Sequence, residues 1–303
     1  MGALSAREIA AVGDLELAAR IVVDGLFAGG HRSLRRGAGA EFQQHRPYRA
    51  GDDLKHLDWK LLARSDRLYS RQFREMTGMS VMIVLDTSAS MDFPDAGVSK
   101  LRYACILAAS LAYVIITQGD AVGLLTGGEG RLDYLPARSG RVHLASIIGR
   151  IDQSRAAGDW NPDRTITRAA ELLRRRGVVI VISDFYDDED ATRAALRRVA
   201  RAGHDTAMLQ VLSDAELKLP YDGEVEFVDA EDGARRLVDV RSAAAEYAQT
   251  VAAFTARCRT GAVRDGVDYA LAATSDPPAD VLRKFLLHRS ARGVAAAAGV
   301  IAR

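Results

Sequence analysis

The sequence predicts an α/β fold in which an open, mostly parallel sheet carries helices on both faces, preceded by an N-terminal extension of helix and loop. Two observations lead to this fold class. From residue 80 onward, short runs rich in Val, Ile and Leu alternate with longer stretches of helical periodicity, a pattern typical of a parallel sheet wrapped by helices. Two of these runs lead into an aspartate, and the carboxyl ends of parallel strands meet at one edge of a sheet.

The N-terminal extension, residues 1–78, begins with a helical pattern. Ser5 and Glu8 have the spacing of a capping box, and the apolar residues that follow suit one or two amphipathic helices. Residues 29–39 are rich in Gly and Arg, which predicts a loop. We place the start of the second region, residues 79–303, just before the first strongly apolar run.

The second region contains the predicted strands and most of the predicted helices. The strands are residues 81–85, 121–126, 178–183, 206–212 and 269–273. The helices are residues 100–118, 141–151, 164–176, 188–202, 243–257 and a final helix from about 275 to 289. Residues 224–228 and 235–240 flank an Asp-Gly turn and are predicted to form a hairpin at the edge of the fold.

Composition and charge narrow the possible functions. Lys plus Arg number 41 and Asp plus Glu 40, so the net charge of +1 gives no reason to expect a nucleic-acid partner. Cys105 and Cys258 lack the spacing of a disulfide framework or of a thiolate zinc site, which fits a reducing compartment. The first twenty residues carry five charged side chains where a secretory signal needs an apolar stretch. We therefore expect a cytoplasmic protein.

The longest uncharged stretch, residues 104–119, is sixteen residues long and falls short of the ~20 apolar residues that span a bilayer. Ser110, Thr117 and Gln118 also make it more polar than a typical span. The sequence therefore predicts a helix buried in the fold and no membrane span.

A carboxylate and two hydroxyls follow the first predicted strand at two-residue spacing: Asp86, Ser88 and Ser90. The loop at the carboxyl end of a buried parallel strand is where open α/β sheets bind their ligands. Carboxylate and hydroxyl oxygens are hard ligands of the kind that Mg²⁺ prefers. The alternative is that the two serines only cap the following helix or satisfy the turn.

A tightly held divalent cation requires a second carboxylate, and Asp184 is well placed to supply it. Asp184 follows the apolar run 178–183 much as Asp86 follows the run 81–85. In a parallel sheet both aspartates would emerge on the same rim, at the crevice where the strand order reverses. The alternative is that Asp184 only opens an acidic turn that caps the next helix. The two strand ends together favour a metal site.

Several motifs make the chain resemble a known family. The run DTSASM at residues 86–91, with SDF at residues 183–185, is similar to a von Willebrand factor A domain that carries a metal-ion-dependent adhesion site. The runs RPYRAGDD at residues 46–53, HLDW at 56–59 and AR at 63–64 resemble the bacterial domain-of-unknown-function 58 family, DUF58. The resemblance extends from about residue 29 to the last predicted helix.

This resemblance implies a von Willebrand factor A-type fold and a bound Mg²⁺, with Mn²⁺ and Ca²⁺ as alternatives. The implied ligands, direct or through water, are Asp86, Ser88, Ser90 and Asp184. In such sites a carboxylate from a partner protein typically completes the coordination, so that the metal bridges two proteins. Proteins of this kind are commonly associated with the MoxR class of AAA+ ATPases, which implies such an ATPase or its client as the partner.

The adhesion-site pattern also includes a threonine on a loop between the two aspartates, ahead of a helix. Counting back from Gly177 puts this position near Trp160 or Asn161, and neither is a threonine. Thr165 or Thr167 would serve if the loop is divided differently.

Three functions stay open at this point. The preferred one is a non-enzymatic, metal-dependent protein–protein interaction module that works with a MoxR-type AAA+ ATPase in chaperone-like assembly or maturation of a client. The alternative is a Mg²⁺-dependent hydrolase or phosphatase that uses Asp86 and Asp184, and a third is a purely structural role without metal. The chain lacks a G-x-x-x-x-G-K-[ST] loop, a G-x-S-x-G elbow and an H-E-x-x-H motif, which argues against nucleotide, acyl and zinc-peptidase chemistry.

Overall fold

The computed structural model describes residues 4–28, 41–47, 61–62, 68–74, 78–93, 97–128, 130–186, 189–229 and 233–301. The strands in these residues are β1 Glu41–Pro47, β2 Tyr69–Arg74, β3 Ser80–Asp86, β4 Ala121–Gly128, β5 Arg131–Arg138, β6 Val178–Ser183, β7 Asp205–Leu212, β8 Glu224–Val228, β9 Arg235–Asp239 and β10 Asp268–Ala273. The α-helices are α1 Ala6–Ala10, α2 Leu15–Ala28, α3 Lys100–Thr117, α4 Arg141–Asp152, α5 Pro162–Glu171, α6 Glu189–Arg201, α7 Asp214–Lys218, α8 Val240–Arg264 and α9 Pro278–Ile301.

A six-stranded sheet forms the centre of the fold, with the strand order β10-β7-β6-β3-β4-β5. All neighbouring strands run parallel except β5, which pairs with β4 in the antiparallel sense. This order is that of doubly wound α/β folds, in which the chain winds outward in both directions from a central strand. The direction of winding changes between β3 and β6. The predicted α/β class is confirmed.

The strands β3 and β6 occupy the middle of the sheet because they are apolar on both faces. Alternate residues of β3 enter two different cores. Val81, Ile83 and Leu85 pack on the side of α2, α3, α4 and α9. Met82 and Val84 pack on the other side with residues of α5 and α6. Helices therefore cover both faces of the sheet, as the sequence predicts.

The helix α3 runs through the first of these cores. Among the described residues it is the one helix long and apolar enough to cross a membrane by length and composition, and 78% of it is buried inside the fold. Ser99 caps its N-terminus by accepting a hydrogen bond from the backbone N–H of Arg102, and Lys100 is its first residue. The prediction of a buried helix at residues 100–118 is confirmed to within one residue.

Two N-terminal helices share this core. Ile9 of α1 and Leu15, Val22 and Leu26 of α2 are all buried in it. Both described helices of the predicted N-terminal extension, residues 1–78, pack directly on α3. Most of the family-like stretch at residues 46–64 lies outside the described residues.

The structure corrects several element boundaries. The helix predicted at residues 164–176 is α5, Pro162–Glu171, because Asn161 caps its N-terminus and Pro162 occupies a position in the first turn where proline is tolerated. The helices α8 and α9 extend beyond the predicted residues 243–257 and 275–289. The edge strand β5 was not predicted, because its pattern of exposed and half-buried residues lacks a continuous apolar run. The predicted hairpin is present as β8 and β9.

Candidate metal site

The two predicted aspartates lie on the same rim of the sheet. Leu85 of β3 pairs with Ile182 of β6, so the residues that follow them emerge side by side at the carboxyl ends of the two strands. Both aspartate side chains are fully buried, with 0% exposure. The direction of winding also changes between β3 and β6, and doubly wound folds bind ligands at this position.

Neutral donors satisfy the carboxylate of Asp86. The backbone N–H of Ser88 donates to its Oδ1 at 2.8 Å, and the hydroxyl of Ser183 donates to its Oδ2 at 2.6 Å. Burial, and next the negative charge of Asp184, raise the pKa of Asp86 to about 7 in spite of these hydrogen bonds. The fold thus places two carboxyl groups close enough together that the charge on one disfavours the charge on the other.

A buried ammonium satisfies the carboxylate of Asp184. Lys100, at the start of α3, donates to Asp184 Oδ2 at 2.7 Å and to Glu216 Oε1 at 2.6 Å, and its side chain is 1% exposed. Burial opposes the positive charge, but the carboxylates of Asp184 and Glu216 outweigh burial and hold the pKa of Lys100 above its ordinary value. The ring of Tyr186 lies 5.1 Å from the ammonium. The rim thus contains a complete buried ion cluster.

The serine hydroxyls face each other beside Asp86. The Oγ atoms of Ser88 and Ser90 are 3.1 Å apart, at the start of a short 3₁₀ helix, Ala89–Asp92. Ser88 occupies the N-cap position of this helix, yet its side chain makes no capping hydrogen bond. The capping role that the sequence leaves open for Ser88 is therefore absent here, and the hydroxyl stays on the rim.

The turn after β6 is held in an unusual backbone conformation. Phe185 is buried and has a φ of 62°, a region that bulky side chains rarely adopt. Its N–H donates to Ser183 Oγ at 2.9 Å, the same hydroxyl that donates to Asp86. The N–H of Tyr186 donates to Asp184 Oδ1 at 3.2 Å. Such a conformation persists only where neighbouring contacts enforce it, and Ser183 and Asp184 accept the hydrogen bonds that do so here.

The acidic turn that the sequence offers as an alternative role for Asp184 begins beside this cluster. Asp187 and Asp188 lie outside the described residues. Asp184 itself is turned inward to Lys100, a role that a simple helix cap does not require.

Of the two candidate threonines, Thr165 lies next to the rim. Its hydroxyl is buried, donates to the backbone carbonyl of Asn161 at 2.7 Å, and lies 3.3 Å from where a Cβ on Gly127 would be. Gly127 pairs with Asp86 across β4 and β3. Thr167 instead accepts a hydrogen bond from Arg198 of α6 on the surface. Thr165 is therefore better placed than Thr167 to serve a ligand on the rim.

The donor set suits a hard divalent cation. Two carboxylates and two hydroxyls supply only oxygen atoms, the ligands that Mg²⁺ prefers. The indole N–H of Trp160 is buried beside Gly127 and has no hydrogen-bond partner among the described residues. The described part of the chain contains no group of three or more His, Cys, Asp or Glu side chains arranged to hold a metal. A cation here would rely on two aspartates, hydroxyls and water.

The sequence pattern identifies the two aspartates but misses Lys100 and Glu216 as members of the cluster. Lys100 opens an apolar helix, and Glu216 belongs to a capping box with Ser213 directly after β7. That capping box is the one local signal that puts a fixed carboxylate at the carboxyl end of a strand. Nothing in the sequence joins it to Lys100.

Comparison with known sequences identifies one matching family. The family described as "Protein of unknown function DUF58" matches residues 44–257, which is more than half of the chain. Uncharacterized protein Rv1480 of Mycobacterium tuberculosis (strain ATCC 25618 / H37Rv) is 32% identical over 230 residues, covering 75% of this chain and 72% of that protein. Uncharacterized protein Mb1516 of Mycobacterium bovis has the same identity and coverage.

Solved structures of similar fold include two with high coverage of their own chains. The crystal structure of the conserved hypothetical protein BatB from Bacteroides thetaiotaomicron has a TM-score of 0.49 and 19% identity, over 70% of this chain and 99% of that chain. The SpRpn10 VWA domain has a TM-score of 0.42 and 12% identity, over 68% of this chain and 94% of that chain. The strand order by itself places the chain in the α/β class.

Proposed function

The chain belongs to the DUF58 family, and from this premise we propose that it is a metal-dependent protein–protein interaction module rather than an enzyme. The observation that carries the proposal is the buried rim between β3 and β6. There, two aspartates from adjacent strand ends converge beside a pair of serine hydroxyls. Such an oxygen-only donor set fits a divalent cation, and we propose that a second protein binds to that cation.

Asp86, Ser88, Ser90 and Asp184 would hold the cation, with Mg²⁺ as the first candidate and Mn²⁺ or Ca²⁺ as alternatives. The cation would supply an exchangeable coordination position that attracts an acidic side chain of the partner. The residues of this chain keep the ligands in place. Ser183 holds Asp86, and the backbone turn at Phe185 holds Asp184.

The proposed partner is an AAA+ ATPase of the MoxR class, or its client protein, in chaperone-like assembly or maturation. This part rests on the family resemblance alone. We propose a cytoplasmic location without a membrane span, because the one apolar helix long enough to span a membrane, among the described residues, is buried in the core. We propose no nucleic-acid partner, because the net charge of +1 gives no reason to expect one.

A capture experiment tests the proposal. The purified chain is immobilised and incubated with a MoxR-class ATPase in Mg²⁺ or in EDTA. We expect Mg²⁺-dependent capture that Asp86→Asn abolishes. Asp133→Asn is the matched control, because Asp133 is a half-exposed carboxylate on the edge strand β5, paired with Arg150. Capture that is equal in EDTA would contradict the metal bridge.

Two further measurements separate the alternatives. Calorimetry with Mg²⁺ alone tests whether the site binds the ion, and no binding up to millimolar concentration would leave only a structural role for the rim. Hydrolysis of a generic phosphomonoester that requires Mg²⁺ and disappears in Asp86→Asn would instead indicate the hydrolase.

A further inference from the structure

The ion cluster at the rim contains a permanent positive charge in contact with a proposed metal ligand. We propose that the Lys100 ammonium is a built-in counter-charge that weakens the binding of a divalent cation to Asp86 and Asp184. This inference rests on the metal site of the proposed function and deepens it, because it concerns what sets the affinity of that site. It assigns Lys100 a role that the aspartates and serines do not have.

Lys100 is in direct, buried contact with a proposed metal ligand. Lys100 Nζ lies 2.7 Å from Asp184 Oδ2, and both side chains are at most 1% exposed. A divalent cation on Asp184 would therefore have a positive charge as its neighbour on the same carboxylate. Where water is excluded, two like charges at such a separation repel strongly, because little solvent screens them.

The second step is that Lys100 stays in place. Its other partner, Glu216, is held by two hydrogen bonds. The Glu216 side chain accepts one from the N–H of Ser213 at 2.8 Å, and the Glu216 backbone carbonyl accepts one from the Tyr247 hydroxyl at 2.8 Å. Lys100 can remain paired with Glu216 when Asp184 turns to a cation. The positive charge therefore acts on the site whether or not Asp184 keeps its contact with Lys100.

The third step is the charge of the whole cluster. Lys100 contacts the carboxylates of Asp184 and Glu216, and the buried carboxyl group of Asp86 lies close enough to Asp184 for their charges to interact. Three carboxylates and one ammonium give the fully ionised cluster two negative charges. A divalent cation would neutralise the cluster. Removing the ammonium adds one negative charge, and removing the Glu216 charge takes one away. The affinity for the cation should follow this charge.

The test is calorimetry of the full-length chain with MgCl₂ alone, on a set of variants that changes the charge in steps. Lys100→Met is expected to bind Mg²⁺ at least tenfold more tightly than the wild type, and Glu216→Gln at least tenfold more weakly. The double variant Lys100→Met/Glu216→Gln restores the wild-type charge and is expected to bind with an affinity close to that of the wild type. Lys218→Met is the control, because Lys218 pairs with Asp214 at the surface, and it should leave the affinity unchanged.

The outcomes separate this inference from the proposed function. If the wild type binds Mg²⁺ and Lys100→Met binds no more tightly, the inference is wrong and Lys100 only positions Asp184. If neither protein binds Mg²⁺, the metal site of the proposed function is wrong and the inference fails with it. Circular dichroism checks the fold of each variant. If Lys100→Met does not fold, the double variant and Glu216→Gln decide, since a positioning role predicts weak binding in the double variant.

Discussion

The ion pairs on the rim between β3 and β6 contrast with the ion pair beside the ribbon formed by β8 and β9. On the rim, Lys100 joins two carboxylates almost completely out of water. Beside the ribbon, Arg241 contacts Asp222 through two nitrogens at 2.6 and 2.9 Å, with both side chains more than 70% exposed. The geometry is good in both places, but only on the rim does the loss of one partner leave a charge that water cannot reach.

The largest expected effect comes from breaking the buried pair. Lys100→Met should lower the free energy of unfolding by about 3–5 kcal/mol, because it leaves the carboxylates of Asp184 and Glu216 without their cation. Arg241→Met, the matched change beside the ribbon, should leave the urea midpoint unchanged. Urea titrations followed by circular dichroism measure both, and equal shifts in the two variants would remove the contrast between the regions.

The next largest effect on stability is expected at Gly128, where the backbone of Thr87 approaches closely. A Cβ on Gly128, at the end of β4, would lie 2.6 Å from the carbonyl oxygen and the hydroxyl of Thr87, so Gly128→Ala should destabilise the fold by about 1–3 kcal/mol. Gly149→Ala in α4 is the control. A Cβ there meets nothing within 4 Å, and the change should stabilise the fold by about 0.5–1 kcal/mol. Differential scanning calorimetry should show shifts of opposite sign.

A smaller effect distinguishes the two candidate threonines. Thr165→Val removes a buried hydroxyl that donates to Asn161 and should cost about 1 kcal/mol of stability and weaken Mg²⁺ binding. Thr167→Val removes a surface contact with Arg198 and should leave Mg²⁺ binding unchanged. Calorimetry with MgCl₂ compares the two variants directly. Equal affinities in both would place neither threonine at the site.

The smallest expected effect is on the rates at which the two cysteines react with a thiol reagent. Each rate reports how often the region around that cysteine opens. Cys105 lies in α3, which begins at the rim, and Cys258 lies in α8, which follows the ribbon. Burial raises the pKa of each thiol to about 12, so neither should react with a thiol reagent at pH 8 in the native protein.

Comparing the two labelling rates then shows which region opens. Lys100→Met should speed the labelling of Cys105 more than that of Cys258, whereas Arg241→Met should change neither rate. Mass spectrometry of timed samples distinguishes the two sites. Faster labelling of Cys258 alone in Lys100→Met would mean that the rim does not hold α3 in place.

The middle of the sheet could be predicted because its signal is local. Every residue of β6 is buried, so a continuous apolar run identifies the strand without knowledge of its neighbours. The same reasoning places Asp86 and Asp184 on one rim, since it needs only that the two strands be parallel. The edge strand β5 mixes exposed and half-buried residues and has no continuous apolar run, so its sequence resembles a loop.

The ion cluster could not be predicted because its members are far apart in the chain. Lys100 is separated from Asp184 by 84 positions and from Glu216 by 116. Each residue has an ordinary local explanation, as a helix start, a strand end or a capping residue. Only the contacts that Lys100 makes with Asp184 and Glu216 in the folded chain bring the three charges together.

The position of α3 in the chain determines how long this helix stays partly uncovered during synthesis. The helix α3 ends at Thr117, but β6 begins at Val178, 61 positions later, and β10 ends only at Ala273. At about 5–20 residues per second, a ribosome needs roughly 3–12 s to make the first of these strands after α3 has been synthesised. During that interval this long apolar helix is covered only by the elements that precede β6 in the chain. Nascent chains halted before β6 should therefore be the form most prone to aggregate.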